Sequence, residues 1–189
     1  MIKNLLDGEY VPSSDAMTRD QVELYERTDG REGVTMQGHP VIVVTMRGAR
    51  SGKLRKVALM RIERGGVYAI GASAGGHAHN PNWFHNLVTN PTVQLQDGPD
   101  RSLMTARVTE GDERESWLAY ADELYPFFAS MRDRAAEAGN REIPLILLEH
   151  RELTHRLRGG ARGLAGRRRR RPGGPRGSLR LRRGRRGPR

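Results

Sequence analysis

The chain has 189 residues, 33 basic side chains against 22 acidic ones, and no cysteine. That length suffices for one domain with a sizeable core, and the lack of cysteine excludes disulfides and thiolate metal centres, so a reducing, cytoplasmic setting is expected. Charge is uneven: residues 151–189 hold 16 arginines and a single acid, Glu152, whereas residues 1–150 hold 17 basic and 21 acidic residues, so the basic balance belongs to the tail.

Residues 1–15 read as an irregular N-terminal arm, too short and too soon acidic for a signal peptide. A folded domain is expected over 16–150. It opens with a helix at 18–28, for which Thr18 is the candidate N-cap and Val22, Leu24 and Tyr25 the apolar face. A first strand follows at 41–46. Runs at 56–63 and 67–73 flank Arg64-Gly65-Gly66 and read as a hairpin. Asn80-Pro81 has the form of an N-cap with proline at the first helical position, and that helix should stop near Asn90-Pro91. Val93 and Leu95 alternate with Gln94 and Gln96, the pattern of a half-buried strand. Another strand is expected over 101–109, then a helix from Asp112 carrying Trp117, Leu118, Ala121 and Leu124, and a last strand over 143–148. No run approaches the ~20 apolar residues that span a bilayer. The order β, ββ, α, ββ, α, β has too few helical crossovers for a doubly wound sheet, so a mainly β, α+β fold is expected, built on a small antiparallel barrel with flanking helices.

The strongest chemical signal lies between Arg47 and Lys56, where a strand runs into a glycine-bearing loop with five cationic side chains. Such a loop is either a solvated hairpin or an anion clamp. Arg50, Ser51 and Gly52 can form a backbone nest, and the Arg55 guanidinium suits a bidentate anion better than lysine would. It is not a P-loop, because the GxxxxGK[ST] spacing is missing. Gly71-Ala72-Ser73-Ala74 closes a strand with small residues, either as a plain connection or to admit a flat ring against the backbone. Trp83 and Phe84 read first as core residues. His77, His79 and His85 match no strong ligand spacing, so no metal site is expected.

Taken together, Gly48-Ala49-Arg50-Ser51-Gly52-Lys53-Leu54-Arg55, Ala72-Ser73, Asn80-Pro81-Asn82-Trp83-Phe84-His85-Asn86-Leu87, Asn90-Pro91 and Arg141-Glu142-Ile143-Pro144 resemble the deazaflavin-dependent nitroreductase family in one colinear sweep over roughly residues 8–150. The resemblance implies a split antiparallel β-barrel, FMN-binding-like, that binds coenzyme F420, a deazaflavin with a phosphodiester and an oligoglutamate tail. It implies that Ala49, Arg50 and Ser51 hold the phosphate region with Arg55 beside them. Lys56, Val57, Ala58, Leu59 and Met60 would line the deazaflavin. Gly71, Ala72, Ser73 and Ala74 would approach by backbone, and Asn82, Trp83, Phe84, His85 and Asn86 would close the site. Hydride transfer then needs no catalytic triad, and none stands out.

The expected activity is hydride transfer from reduced F420 to a small organic acceptor, a quinone, nitro compound or enone. The alternatives are an FMN-binding protein or a non-catalytic binder of a hydrophobic ligand such as a fatty acid on the same barrel. Tyr125 is kept from the family's substrate region as a candidate proton donor and substrate contact. Phe128 and Met131 stand where further tyrosines are expected; Phe128 is a candidate substrate contact with Tyr125, one that can only pack. The segment 132–139 is longer and more helical than the family pattern. For the Arg/Gly/Pro-rich tail, nonspecific nucleic-acid contact, contact with an anionic membrane and a low-complexity extension read past a natural stop all fit; missing aromatic stacking platforms favour the extension.

Overall fold

The computed structural model describes residues 5–150, so the whole of the arginine-rich tail lies outside the described residues. Helix α1 (Ala16–Arg27) is capped by Asp15, whose carboxylate accepts from Thr18 N at 2.7 Å. Thr18, the expected cap, therefore sits inside the first turn. Asp15 takes the role because its short carboxylate reaches the third free N–H. Val22 and Tyr25 form the buried face.

The apolar run at 41–46 becomes the centre of β2 (His39–Arg47), entered from a two-residue strand β1 (Thr35–Met36). β2 pairs antiparallel with β3 (Leu54–Met60), from Val41 opposite Met60 to Arg47 opposite Leu54. The run expected as a single strand over 56–63 is divided. β3 ends at Met60, and β4 (Ile62–Arg64) pairs instead with β5 (Val67–Gly71). Arg61 is the corner between them: its N–H donates to Pro40 O at 2.9 Å and its Nε to Asp97 at 2.8 Å, which ties the bend to the sheet. The expected hairpin turn is present, with Gly65 and Gly66 at φ 64° and 82°, the two left-handed positions that a tight hairpin demands.

Helix α2 (Asn82–Thr89) begins after Pro81, one position later than expected, because the Asn80 amide oxygen accepts from Arg141 rather than from the helix. Then come β6 (Thr92–Asp97), β7 (Asp100–Val108), α3 (Gly111–Leu124), α4 (Phe127–Gly139) and β8 (Leu145–His150). Of the expected α3 face, Trp117, Leu118 and Ala121 are buried while Leu124 is 40% exposed.

All strand pairs are antiparallel, in the order β1-β2-β6-β7-β8-β5-β4, with β3 joined only to β2. The sheet curls into a split barrel. Its interior holds Ile42, Val44, Met46, Val93, Leu95, Met104, Ile146 and Leu148. Helices α3 and α4 cover a second cluster outside β5 and β8, and α1 covers a third with Val41, Val43 and Ala58. At about 1.5–3 kcal/mol per fully buried large aliphatic side chain, these clusters dominate the fold's stability.

β6 departs from the half-buried expectation. Gln94 and Gln96 are as buried as Val93 and Leu95, because they lie beside Thr45 and Val43 on the face that α1 and the arm cover. Gln94 accepts a hydrogen bond from Leu5 N, and Gln96 donates to Gly98 O at 2.9 Å. Among the described residues, no helix is long and apolar enough to cross a membrane.

Candidate active site

The loop between β2 and β3 divides its five cations into two groups. Arg47 donates to Gly52 O at 2.8 Å and to Asp7 O at 2.9 Å, and Lys53 pairs with Glu9 at 2.9 Å. Lys56 turns away from the loop into a buried pair with Glu26 of α1 at 2.7 Å, its ammonium 4.6 Å from the centre of the Tyr10 ring. Arg55 donates to the Val11 carbonyl at 3.3 Å and meets no acid, and Arg50 has no protein partner among the described residues. Two guanidiniums are thus left uncompensated.

They face a cavity of about 620 Å³. The loop supplies one wall with Ala49, Arg50 and Ser51, and α2 supplies another with Asn82, Trp83, His85 and Asn86. Asn86 also shapes the loop, since its Oδ1 accepts from Ala49 N at 2.9 Å; Asn90, at the end of α2, donates to Arg47 O at 3.2 Å. Part of the expected nest is used internally: Gly52 N donates to Gly48 O and Lys53 N to Ser51 Oγ. The N–H groups of Arg50 and Ser51 have no acceptor among the described residues. The third wall was not legible in the sequence. Val11, Ser13, Ser14 and Thr18 come from the arm and the start of α1, held there by Val11 N to Leu54 O and Leu54 N to Glu9 O at 3.0 and 2.8 Å.

Beside this cavity, an apolar pocket of about 250 Å³ occupies the split between β3 and β5. Ala58, Leu59 and Met60 border it on one side and Ile70, Gly71 and Ser73 on the other, with Tyr125, Phe127, Phe128 and Met131 closing it. β3 is an edge strand here. Leu54 directs both backbone groups away from β2 toward the arm, so by the alternation of an antiparallel pair Ala58 and Met60 direct theirs toward the split. Met36, at the end of β1, and Gln37, in the β1–β2 turn, also border the pocket, and no sequence motif marks them.

Some expected site residues are placed elsewhere. Phe84 packs against the barrel core, with its ring 5.5 Å from that of His85, because the apolar side of α2 must cover the barrel. Ala72 is fully buried, its N–H donating to Pro144 O. Ala74, at φ 46°, borders neither cavity. The organiser of this segment is Arg141, which donates to His77 O, Ala72 O, Ser73 O and Asn80 Oδ1 at 2.7–3.0 Å. The Tyr125 hydroxyl donates to Arg61 O at 2.6 Å, and burial raises its pKa above the ordinary phenol value. Its proton is therefore engaged by the β3–β4 corner, which differs from the expected role of proton donor. His77, His79 and His85 belong to no metal-ligating group among the described residues.

A basic cavity beside an apolar split is what an anion-tailed ring cofactor requires, and the comparisons agree. A profile of the F420H(2)-dependent quinone reductase family matches residues 17–150. An F420H(2)-dependent quinone reductase of Mycobacterium tuberculosis is 30% identical over 132 residues, which cover 68% of this chain and 86% of that protein. The solved F420-H2 dependent reductase FDR-A is 43% identical, covering 58% of this chain and 94% of its own, with a TM-score of 0.53. A second solved chain, a domain-swapped dimer, is 40% identical over 69% of this chain and 96% of its own, with a TM-score of 0.56. The matched span contains the basic loop, the Ala72-Ser73 corner and α2, and the chain belongs to the F420H(2)-dependent quinone reductase family.

Proposed function

We propose that this F420-dependent reductase passes a hydride to a planar, quinone-type acceptor seated at the apolar split, with Arg50 and Arg55 holding the anionic part of the cofactor. The observation that carries the reading is the juxtaposition of the two pockets along one strand: Val57 borders the basic cavity and Leu59 the apolar split. The residues fit the cofactor on both sides. No acid borders the basic cavity, so a phosphodiester meets two uncompensated guanidiniums and the open N–H groups of Arg50 and Ser51. The split offers a flat apolar slot, with the backbone groups of Ala58 and Met60 for the hydrogen-bonding edge of a ring.

When bound, the deazaflavin supplies the hydride-bearing carbon. The chain's work is to orient and to exclude water. Phe127, Phe128 and Met131 keep the slot apolar, and Trp83 and Asn86 fix the cavity beside the loop. Tyr125 holds the β3–β4 corner through Arg61 O and gives the split one wall. A fatty-acid binder would need a long apolar channel, whereas the larger cavity is lined by guanidinium, hydroxyl and amide groups.

The test is titration of the protein with F420 and with FMN, followed by fluorescence. F420 should bind at micromolar concentration or tighter and FMN far more weakly. Arg50→Gln should weaken F420 by about tenfold or more, since a charge-assisted hydrogen bond is worth about 1.5–3 kcal/mol. Preferential binding of FMN overturns the reading. Single-turnover oxidation of the reduced complex by a naphthoquinone and by a nitroimidazole then ranks the acceptor classes, with the quinone expected to be faster.

A further inference from the structure

The turn between β1 and β2 departs from the residue preference of its own geometry. It is a two-residue hairpin turn, with Met36 opposite His39, and both central residues are left-handed: Gln37 at φ 52° and Gly38 at φ 81°. Asparagine or glycine is at ease at the first of these positions, whereas glutamine is strained there. Strain kept in an exposed turn calls for a reason. The structure supplies one, since Gln37 borders the apolar split.

Among the described residues around that split, three side chains carry nitrogen or oxygen: Gln37, Ser73 and Tyr125. The Tyr125 hydroxyl is engaged by Arg61 O, and Ser73 stands on the β5 side. The Gln37 carboxamide, exposed at the mouth, has no hydrogen-bond partner among the described residues. The turn that carries it is held in place. His39 sets its ring 5.0 Å from those of Tyr125 and Phe127, and Val41 N donates to Val34 O at 3.0 Å. A free amide is thus presented from a fixed turn, against the aromatic wall that closes the slot.

We propose that Gln37 is a specificity-determining residue for the acceptor, its carboxamide N–H donating to a carbonyl oxygen of a quinone seated in the split. This rests on the reading above and deepens it by naming the group that selects carbonyl acceptors. The quinone takes a hydride from reduced F420 and is reduced by two electrons. A new bond to hydrogen forms, the displaced π pair settles on a carbonyl oxygen, and water at the mouth protonates the hydroquinone anion. A donor already aimed at that oxygen strengthens its bond as charge develops, so it favours the transition state over the bound quinone. The apolar slot magnifies the effect by lowering the local dielectric.

The test compares a naphthoquinone with an N-methylphenazinium salt, a planar acceptor without oxygen. Gln37→Met keeps the length of the side chain and removes its N–H. The ratio of quinone to phenazinium kcat/KM should fall about tenfold, chiefly through kcat. Gln37→Glu should lower it further, because a carboxylate repels the quinone anion and attracts the phenazinium cation. Gln37→Asn suits the left-handed position and should raise the Tm, while its shorter carboxamide loses part of the ratio; this separates loss of the contact from loss of the fold. Quinone affinity for the complex with oxidised F420, followed by tryptophan fluorescence without turnover, should weaken about threefold in Gln37→Met. An unchanged ratio, or equal losses with both acceptors, overturns the inference and leaves the cofactor and acceptor readings standing. A wild-type protein that binds F420 and does not reduce the quinone sinks the acceptor reading itself, and this inference with it.

Discussion

Gly71 shows how a single atom shapes the split. A Cβ built there would lie 2.4 Å from Cζ of Phe128, so the tip of the phenyl ring packs on bare backbone. The small residues at 71–74 had suggested room for a cofactor ring, and the structure gives Gly71 a nearer occupant. Gly71→Ala must push the Phe128 ring toward the pocket. The expected cost is about 1–3 kcal/mol by overpacking, read as a lowered Tm. The Michaelis constant for the acceptor should rise while F420 affinity holds, because the arginine cavity is untouched. An unchanged Tm and acceptor dependence would show that the ring has another place to go. Phe128 itself was legible as a packing residue. Its partner was not, because positions 71 and 128 are brought together only by α4 folding over the end of β5.

At the level of elements, the segment from Ala72 to Asn80 has little regular structure of its own and is held by Arg141. Four acceptors converge on one guanidinium, and three of them are backbone carbonyls. Arg141→Met keeps the aliphatic stem and removes every donor. The amides of residues 73–79 should then exchange with solvent faster by an order of magnitude or more, since each bond to a charged donor contributes about 1.5–3 kcal/mol. Protection in β6 and β7 should stay as in the wild type. A uniform loss of protection throughout would instead make Arg141 a global stabiliser. The motif 141–144 was visible as a family signature, but its physical task was not, because the carbonyls it gathers carry no sequence identity. The same reasoning applies to the division of the 56–63 run. Apolar periodicity continues through Arg61, and only the bonds from Arg61 to Pro40 and Asp97 reveal a corner.

Across the whole molecule, two polar groupings, one buried and one half-buried, tie the layers together. Lys56 and Glu26 pair at 2.7 Å with side chains 4% and 7% exposed, joining α1 to β3 beneath the binding cavity. Glu26→Ala removes the buried carboxylate that the Lys56 ammonium faces, and denaturant unfolding should show a loss of about 3–5 kcal/mol. Replacing both, Glu26→Leu with Lys56→Met, should recover most of it; failure to recover would mean that the pair has a role beyond satisfying its own burial. The second grouping is Tyr68, whose hydroxyl donates to Asp97 at 2.9 Å. Burial first, and then the Asp97 carboxylate, pushes its pKa up to about 12 from 10.0. A folded-state pKa above the unfolded value means that its contribution is fully present below about pH 10 and is lost as pH rises toward 12. Stability should therefore fall across that window, and Tyr68→Phe should flatten the slope; an unaltered slope would assign the loss to Tyr10, Tyr25 and Tyr125, which burial also raises.

The sequence alone determined most of the order of elements and the antiparallel class, because strand alternation and turn glycines are local patterns; the cofactor followed from the resemblance of the loop and helix motifs to a known family. Which cations remain free was decided only in three dimensions. Lys56 and Arg55 are neighbours on β3 and both border the cavity, yet Lys56 is neutralised by Glu26 of α1 while Arg55 meets no acid, since alternate side chains of a strand leave by opposite faces and only one face meets α1. The arm's place in the binding wall, the inward turn of Phe84 and the engagement of Tyr125 by Arg61 were settled in the same way. Each depends on a contact between segments far apart in the chain, and no periodicity within either segment records it.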